Sequence, residues 1–225
     1  MSIQVLLDGK IKTFETPESR DSGRNMFEIA VANILNLKYF SGLDFDDLMQ
    51  GIIGSGGDEG IDICYIFINE RLLRDTESLD IGKTSVVRLE LVQAKAEEGF
   101  STNSFKNLCE GVKEIFTLDQ KILKKIGANA DLIKMAKLIR VVFQETMQKG
   151  ATFKIRIHYA TKGDKGKISS KIEHLKNDLK RALSWVKDLN FEFWGAQELF
   201  DLSTKTEEQL NLEFLDQPLD LSEEG

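Results

Sequence analysis

Proline, cysteine and histidine are each nearly missing, with two of each in 225 residues. So little proline, and no low-complexity tract, excludes long extended linkers. Cys64 and Cys109 fall inside strand-like and helix-like patterns, which excludes a disulfide framework and makes both read as small apolar residues. His158 and His174 are separated by a turn and part of a helix and have no Cys or His cluster beside them, so a zinc site is not expected. No apolar run approaches the roughly 20 residues of a spanning helix. The N-terminus also lacks the basic-then-apolar pattern of a secretory signal. The expectation is a reduced, cytoplasmic protein with no membrane partner.

What is present is an ordinary globular composition, 41% hydrophobic and 30% charged, with a net charge of −7. That sign argues against a nucleic-acid partner, because phosphate contacts need cations. The charge is unevenly spread, however. Between Ser101 and Trp185 there are 18 Lys and Arg against 8 Asp and Glu, while the rest of the chain carries an excess of 17 negative charges. The basic stretch reads either as the solvated faces of amphipathic helices or as a surface that follows a phosphate backbone beside an acidic centre.

A short strand is predicted at Ile3–Leu7, ended by the Asp8-Gly9 turn signal. From about Ser22, Phe27, Ala30, Val31, Ile34 and Leu37 recur at helical spacing, with Asp21 or Ser22 as caps. The glycine-rich run GIIGSGGDEG then leads into the strand-like IDICYIFIN, and a charged loop near Glu70–Gly82 leads into VVRLELVQAK. The two runs are expected to pair antiparallel. Helical patterns follow at about 103–125 and 131–149, then the strand TFKIRIHYAT, a helix at about 171–185, and NFEFWGAQELFDLS as a strand leading into a helix. This order predicts an α/β fold with a mixed central sheet flanked by helices. Residues 1–200 read as one domain and 201–225 as a C-terminal extension, where LNLEFLDQPLDLSEEG resumes strand-like alternation, as if a further domain of a longer protein began there.

Side chains two apart on a strand share a face, so Gln93 and Lys95 project together. Pairing of the two runs brings Asp62 beside them. The group suits phosphodiester hydrolysis, which needs oxygen ligands for a divalent cation and a fixed positive charge to position water and offset developing negative charge. The expected metal ligands are Asp62, the Gln93 side-chain carbonyl and the Ala94 backbone carbonyl, with Lys95 as the charge-stabilising group. Glu28, within the apolar half of its helix, either joins the metal or lies at the edge of the face, where it reaches solvent or pairs with Arg24 one turn back. Asp58 and Glu59 read either as further contacts to the site or as a solvated turn. TKGDKGK (Thr161–Lys167) lacks the ending of a phosphate-binding loop. It reads as a solvated turn or a backbone contact.

The pieces GGDEGID (Gly56–Asp62) and VQAK (Val92–Lys95), preceded by a helix bearing Glu28, resemble the PD-(D/E)xK nuclease superfamily in its Q-x-K form, as in Mrr-like restriction endonucleases. Together with FWGAQEL (Phe193–Leu199), they are most similar to the N-terminal nuclease-like domain of the abortive-infection phage-resistance (AIPR) family. The resemblance implies a restriction-endonuclease-like sheet, Mg²⁺ (or Mn²⁺) dependence, cleavage of DNA or RNA and a role in antiphage defence. It assigns catalysis to Asp62, Gln93, Lys95 and Glu28, and metal binding to Asp62, Gln93, Ala94 and Glu28. Gln93 departs from the commoner pattern, which has an acidic residue there. One negative charge fewer weakens cation affinity, so a binding-only module for nucleic acid or protein is the alternative. A homo-oligomer joined through the basic helices is a third reading.

Overall fold

Near-continuous apolar runs in the central strands, with helical periodicity around them, give a sheet covered on both faces in the computed structural model of the protein. The structure describes residues 2–40, 42–53, 56–117 and 119–213. Helices come first: α1 (Ile3–Thr13), α2 (Pro17–Asp21), α3 (Met26–Asn36) and α4 (Phe45–Gly51). Strands β1 (Ile63–Ile68), β2 (Arg71–Leu72) and β3 (Val86–Lys95) follow, then α5 (Thr102–Thr117), α6 (Gln120–Ile126) and α7 (Ala130–Lys149). The chain continues through β4 (Thr152–Thr161), a 3-10 turn at Lys165–Lys167, α8 (Ser170–Ala182), β5 (Asp188–Trp194) and α9 (Ala196–Glu213). The strand order is β2-β1-β3-β4-β5. β1 runs antiparallel to β2 and β3, and β3, β4 and β5 are parallel, so the expected mixed sheet flanked by helices is what forms.

Two expectations are corrected. Ile3–Leu7 opens a helix, not a strand: the Ser2 side chain accepts from Val5 N, and Leu7 is buried with Ile3 and Ile11 packed beside it. That i, i+4, i+8 stripe overrides the β-branched composition, and Asp8-Gly9 lies inside the helix instead of turning the chain. The pattern at about 103–125 divides into α5 and α6, because Asp119 caps a new helix by accepting from Ile122 N. The alternation foreseen near the C-terminus falls partly in α9, which runs past residue 200, and beyond Glu213 it lies outside the described residues.

Each strand's alternation sends its side chains into two cores. On one face Cys64, Ile66, Leu89, Leu91, Ile155 and Ile157 pack against α5, α7 and α8. On the other, Ile63, Tyr65, Phe67, Val92, Ala94 and Trp194 pack against α1, α3, α4 and α9. β3 is thus buried along nearly its whole length, as a strand covered on both sides must be. The charged loop after β2 is tied down by Arg74, which holds the Asp47 carboxylate of α4 with two hydrogen bonds of 2.6 Å. Among the described residues, no helix is long and apolar enough to cross a membrane.

The segment entering β1 is held from two sides. Asn129, at the start of α7, donates its backbone N–H to Gly57 O (2.8 Å) and its side-chain amide to Gly56 O (2.9 Å). From α5, Gly111 lies so close that a Cβ there would stand 2.1 Å from the Glu59 carbonyl oxygen. An exposed helical Gly→Ala change ordinarily stabilises by up to about 1 kcal/mol. At this position contact with rigid backbone reverses the sign. Gly111→Ala is expected to lower stability by about 1–3 kcal/mol in denaturant unfolding; an unchanged or raised midpoint contradicts this packing.

Candidate metal centre

The site lies where the β1–β3 ladder stops. Asp62 N donates to Val92 O (2.9 Å), and one residue further the chain turns away, so Ala94 N loses its backbone partner. The Asp62 side chain replaces that partner, with Oδ2 accepting from Ala94 N at 2.7 Å and Oδ1 held by Lys95 Nζ at 3.0 Å. A strand residue's N–H and C=O point to the same edge, so the Ala94 carbonyl also faces the edge closed by Asp62. Asp62, Gln93 and Lys95 therefore meet at one end of the sheet, although Asp62 sits just before β1 and not within it.

Gln93 is 1% exposed, and its Oε1 has no hydrogen-bond partner. A buried, unsatisfied carbonyl oxygen is costly unless it serves a ligand. Gly60 makes room for this amide: its φ is +78°, and a Cβ there would stand 2.9 Å from Gln93 Nε2 and 2.7 Å from Leu108 N. Glu28 comes from α3, in the layer on the opposite face, and is nearly buried. Burial is the main reason its carboxyl is pushed up to about 7. The charges of Asp62 and Asp58 add to the rise, while Lys95 and Arg24 oppose it. Arg24 itself is hydrogen-bonded at 3.2 Å to Asp131 of α7, so the direct Arg24–Glu28 pair considered for the helix is not formed.

The Asp62 carboxyl is also raised by burial, more than Lys95 and the Ala94 N–H lower it. For Lys95, burial pulls the ammonium down, but Asp62, Asp58 and Glu28 outweigh it, and the net direction is up. Lys95 therefore remains a cation at neutral pH. Three carboxyl groups act on it, and Asp62 is the one in direct contact.

The donor set accordingly fits a hard divalent ion: carboxylates of Asp62 and Glu28, an unpartnered amide oxygen and a backbone carbonyl, all oxygen. Among the described residues, no three His, Cys, Asp or Glu side chains stand close enough to hold a metal by themselves, so Gln93 and Ala94 are needed to complete such a set. Of the two neighbouring acids, Asp58 is felt by the site, and its carboxylate also accepts from Gly60 N (2.7 Å). Glu59 acts on Glu114 of α5 instead.

The other candidate residues have partners within the fold. Both cysteines are buried and free, and burial pushes the Cys109 thiol up to about 12 and the Cys64 thiol higher still, which disfavours a nucleophilic thiolate. In TKGDKGK, the Asp164 side chain caps the 3-10 turn, and Lys162 bonds Asp8 of α1 at 2.5 Å. Trp194 is buried, whereas Trp185 is 41% exposed and packs on Phe143. His158 is fully buried and hydrogen-bonded.

A second polar group escapes a reading of single residues. Glu90 of β3, fully buried, accepts from Arg88 Nη1, from Arg156 Nη1 (3.1 Å) and from His158 Nε2 (2.7 Å). Trp194 Nε1 donates to His158 Nδ1 (3.1 Å), so the ring proton sits on Nε2. The signal was the period-two placement of charge, Arg88 and Glu90 on one strand and Lys154, Arg156 and His158 on the next. Comparison with protein families, curated proteins and solved structures returns no match for the chain.

Because the folded state holds the Glu28 proton more tightly than the unfolded chain, the associated stability is complete below the ordinary value of 4.5 and is lost as pH rises through about 7. Asp62 shifts in the same direction. The metal-free protein is expected to melt at a lower temperature at about pH 8 than at about pH 5, and Glu28→Gln to flatten that slope. A slope unaltered in Glu28→Gln counts against the buried position of this carboxyl.

Proposed function

We propose that this chain is a divalent-metal-dependent nuclease domain that hydrolyses phosphodiester bonds. The observation that carries the reading is the convergence of Asp62, Lys95 and the unpartnered Gln93 oxygen at one strand end, with Glu28 close enough to feel their charges. Asp62, Glu28, Gln93 Oε1 and the Ala94 carbonyl are the groups that would hold the ion. Bound there, Mg²⁺ or Mn²⁺ would supply a Lewis acid for the phosphoryl oxygen and a water of lowered pKa.

The remaining work falls to the protein's own groups. Lys95, protonated and fixed by Asp62, orients water and offsets negative charge as it develops on the phosphate. Asp62 sets the Lys95 position and, through Ala94 N, the geometry of the strand end. Glu28, whose carboxyl is raised to about 7 without an ion, gives up its proton as it joins the ion. The resemblance to AIPR-type nuclease domains adds antiphage defence as the biological setting and DNA or RNA as the substrate.

A second reading, a nuclease-like module that binds nucleic acid without cutting, has its own support. Both Asp62 oxygens are already engaged, and Gln93 brings no charge to an ion. One set of measurements separates the two. The purified chain is expected to cleave DNA or RNA with Mg²⁺ or Mn²⁺ and not with EDTA, and Asp62→Ala and Lys95→Ala are each expected to lower the rate by about 100-fold or more. Undiminished cleavage in both variants overturns the assignment. Absence of Mg²⁺ binding by calorimetry, with nucleic-acid binding retained, establishes the binding-only reading.

A further inference from the structure

On the sheet face packed against α3 and α9, helices cover the centre but not the end where β3, β4 and β5 begin. A cavity of about 250 Å³ opens there, at the opposite end of β3 from Lys95. Its floor is polar by register: Lys154 and Arg156 of β4 pair with Asp188 and Asn190 of β5, and Arg88 of β3 pairs with Lys154. Its rim is the Lys38-Tyr39 segment after α3, with the Lys38 ammonium 5.1 Å from the Tyr39 ring centre.

Four cationic side chains thus face one small space, with Glu70 and Asp188 as the carboxylates in its wall. The guanidiniums are held in place. Arg88 donates to buried Glu90, to Tyr39 O (2.8 Å) and to Glu70 Oε2 (2.6 Å), and its carbon lies 4.5 Å from the Phe67 ring centre. Arg156 shares Glu90 and lies 4.9 Å from the Tyr39 ring centre. Burying such a cluster is no net gain for stability over apolar packing, whereas fixed guanidinium forks are what recognition of a phosphate requires.

Glu70 shows where an anion sits. Its side chain is 67% exposed, yet its carboxylate rests on the 8% exposed Arg88 guanidinium, at a residue with φ of +66° at the β1–β2 turn. Glu90 is enclosed, whereas the exposed Glu70 side chain has water beside it. Its departure leaves Arg88 Nη2 vacant beside Arg156, Lys154 and Lys38. The geometry points to a second ligand site in this cavity, one that takes a phosphate-bearing small molecule no larger than a mononucleotide, with Glu70 as the resident anion that the phosphate displaces. With Glu70 turned away, Lys38, Arg88, Lys154 and Arg156 face only Asp188, which holds Lys154 at 3.2 Å, and the buried Glu90, so a multiply charged group fits better than a single carboxylate. The volume lies just below the usual range for ligand pockets.

The test is calorimetric titration of the full chain, in EDTA, with inorganic phosphate, a nucleoside monophosphate and the matching nucleoside. Saturable binding of the first two, and none of the nucleoside, is expected. A tighter monophosphate means that the sugar or base is also held, and equal affinities mean that the phosphate alone is read. Glu70→Gln, which removes the competitor, is expected to tighten phosphate by roughly tenfold, and Lys154→Gln to weaken it by a similar factor. Glu70 is exposed and Lys154 half-buried, and neither belongs to the apolar core. Asp62→Ala is expected to leave binding unchanged, which keeps this site distinct from the proposed nuclease centre whatever that centre does. No binding at millimolar phosphate even in Glu70→Gln, equal affinity across the Glu70 and Lys154 variants, or loss in Asp62→Ala each overturns the proposal.

Discussion

The Asp62 carboxylate stands where the pairing of β1 with β3 ends, and the loop that leads to it is held by α5 and α7. One oxygen completes a ladder bond that the backbone no longer supplies, at Ala94 N, and the other fixes the Lys95 ammonium. A side chain that substitutes for strand backbone leaves the end of the β1–β3 ladder lined by side-chain atoms in place of a backbone partner. That end is where oxygen atoms can face a ligand instead of each other. The contact also explains why a buried carboxylate is tolerable here, since it is hydrogen-bonded and charge-paired at once.

Support for that contact comes from parts of the chain far apart in sequence. The 56–62 segment is clamped by α5 through Gly111 and by the start of α7 through Asn129. Gly60 bends with positive φ so that Gln93 can lie against it. α3 brings Glu28 from the layer on the other face. Two layers that share no side chains thus contribute to one site, possible only where the sheet ends.

The same sheet carries polar groups at both ends of β3, arranged on different terms. At the Lys95 end, acidic groups outnumber the cation among them. At the other end, Arg88 and Arg156 converge on one carboxylate, Glu90, which His158 and Trp194 orient in turn. Acidic groups predominate at one end and basic groups at the other, within a chain whose net charge is −7. The total is therefore a poor guide to what any one surface attracts.

The β-branched and aromatic run IDICYIFIN, with the alternation in VVRLELVQAK and TFKIRIHYAT, is enough to mark three strands, because strand preference and side-chain period depend on local backbone geometry. The same rule puts Gln93 and Lys95 on one face. Local pattern failed at Ile3–Leu7, where β-branched composition concealed a stripe that acquires meaning only when Leu7 meets its core. The pairing of Asp62 with Ala94 and Lys95, the approach of Glu28 across layers, and the Glu90 cluster were decided by tertiary structure. Each joins residues tens of positions apart, and their energies come from burial and from charges at a few ångströms, neither of which exists until the sheet and its two helical layers have closed.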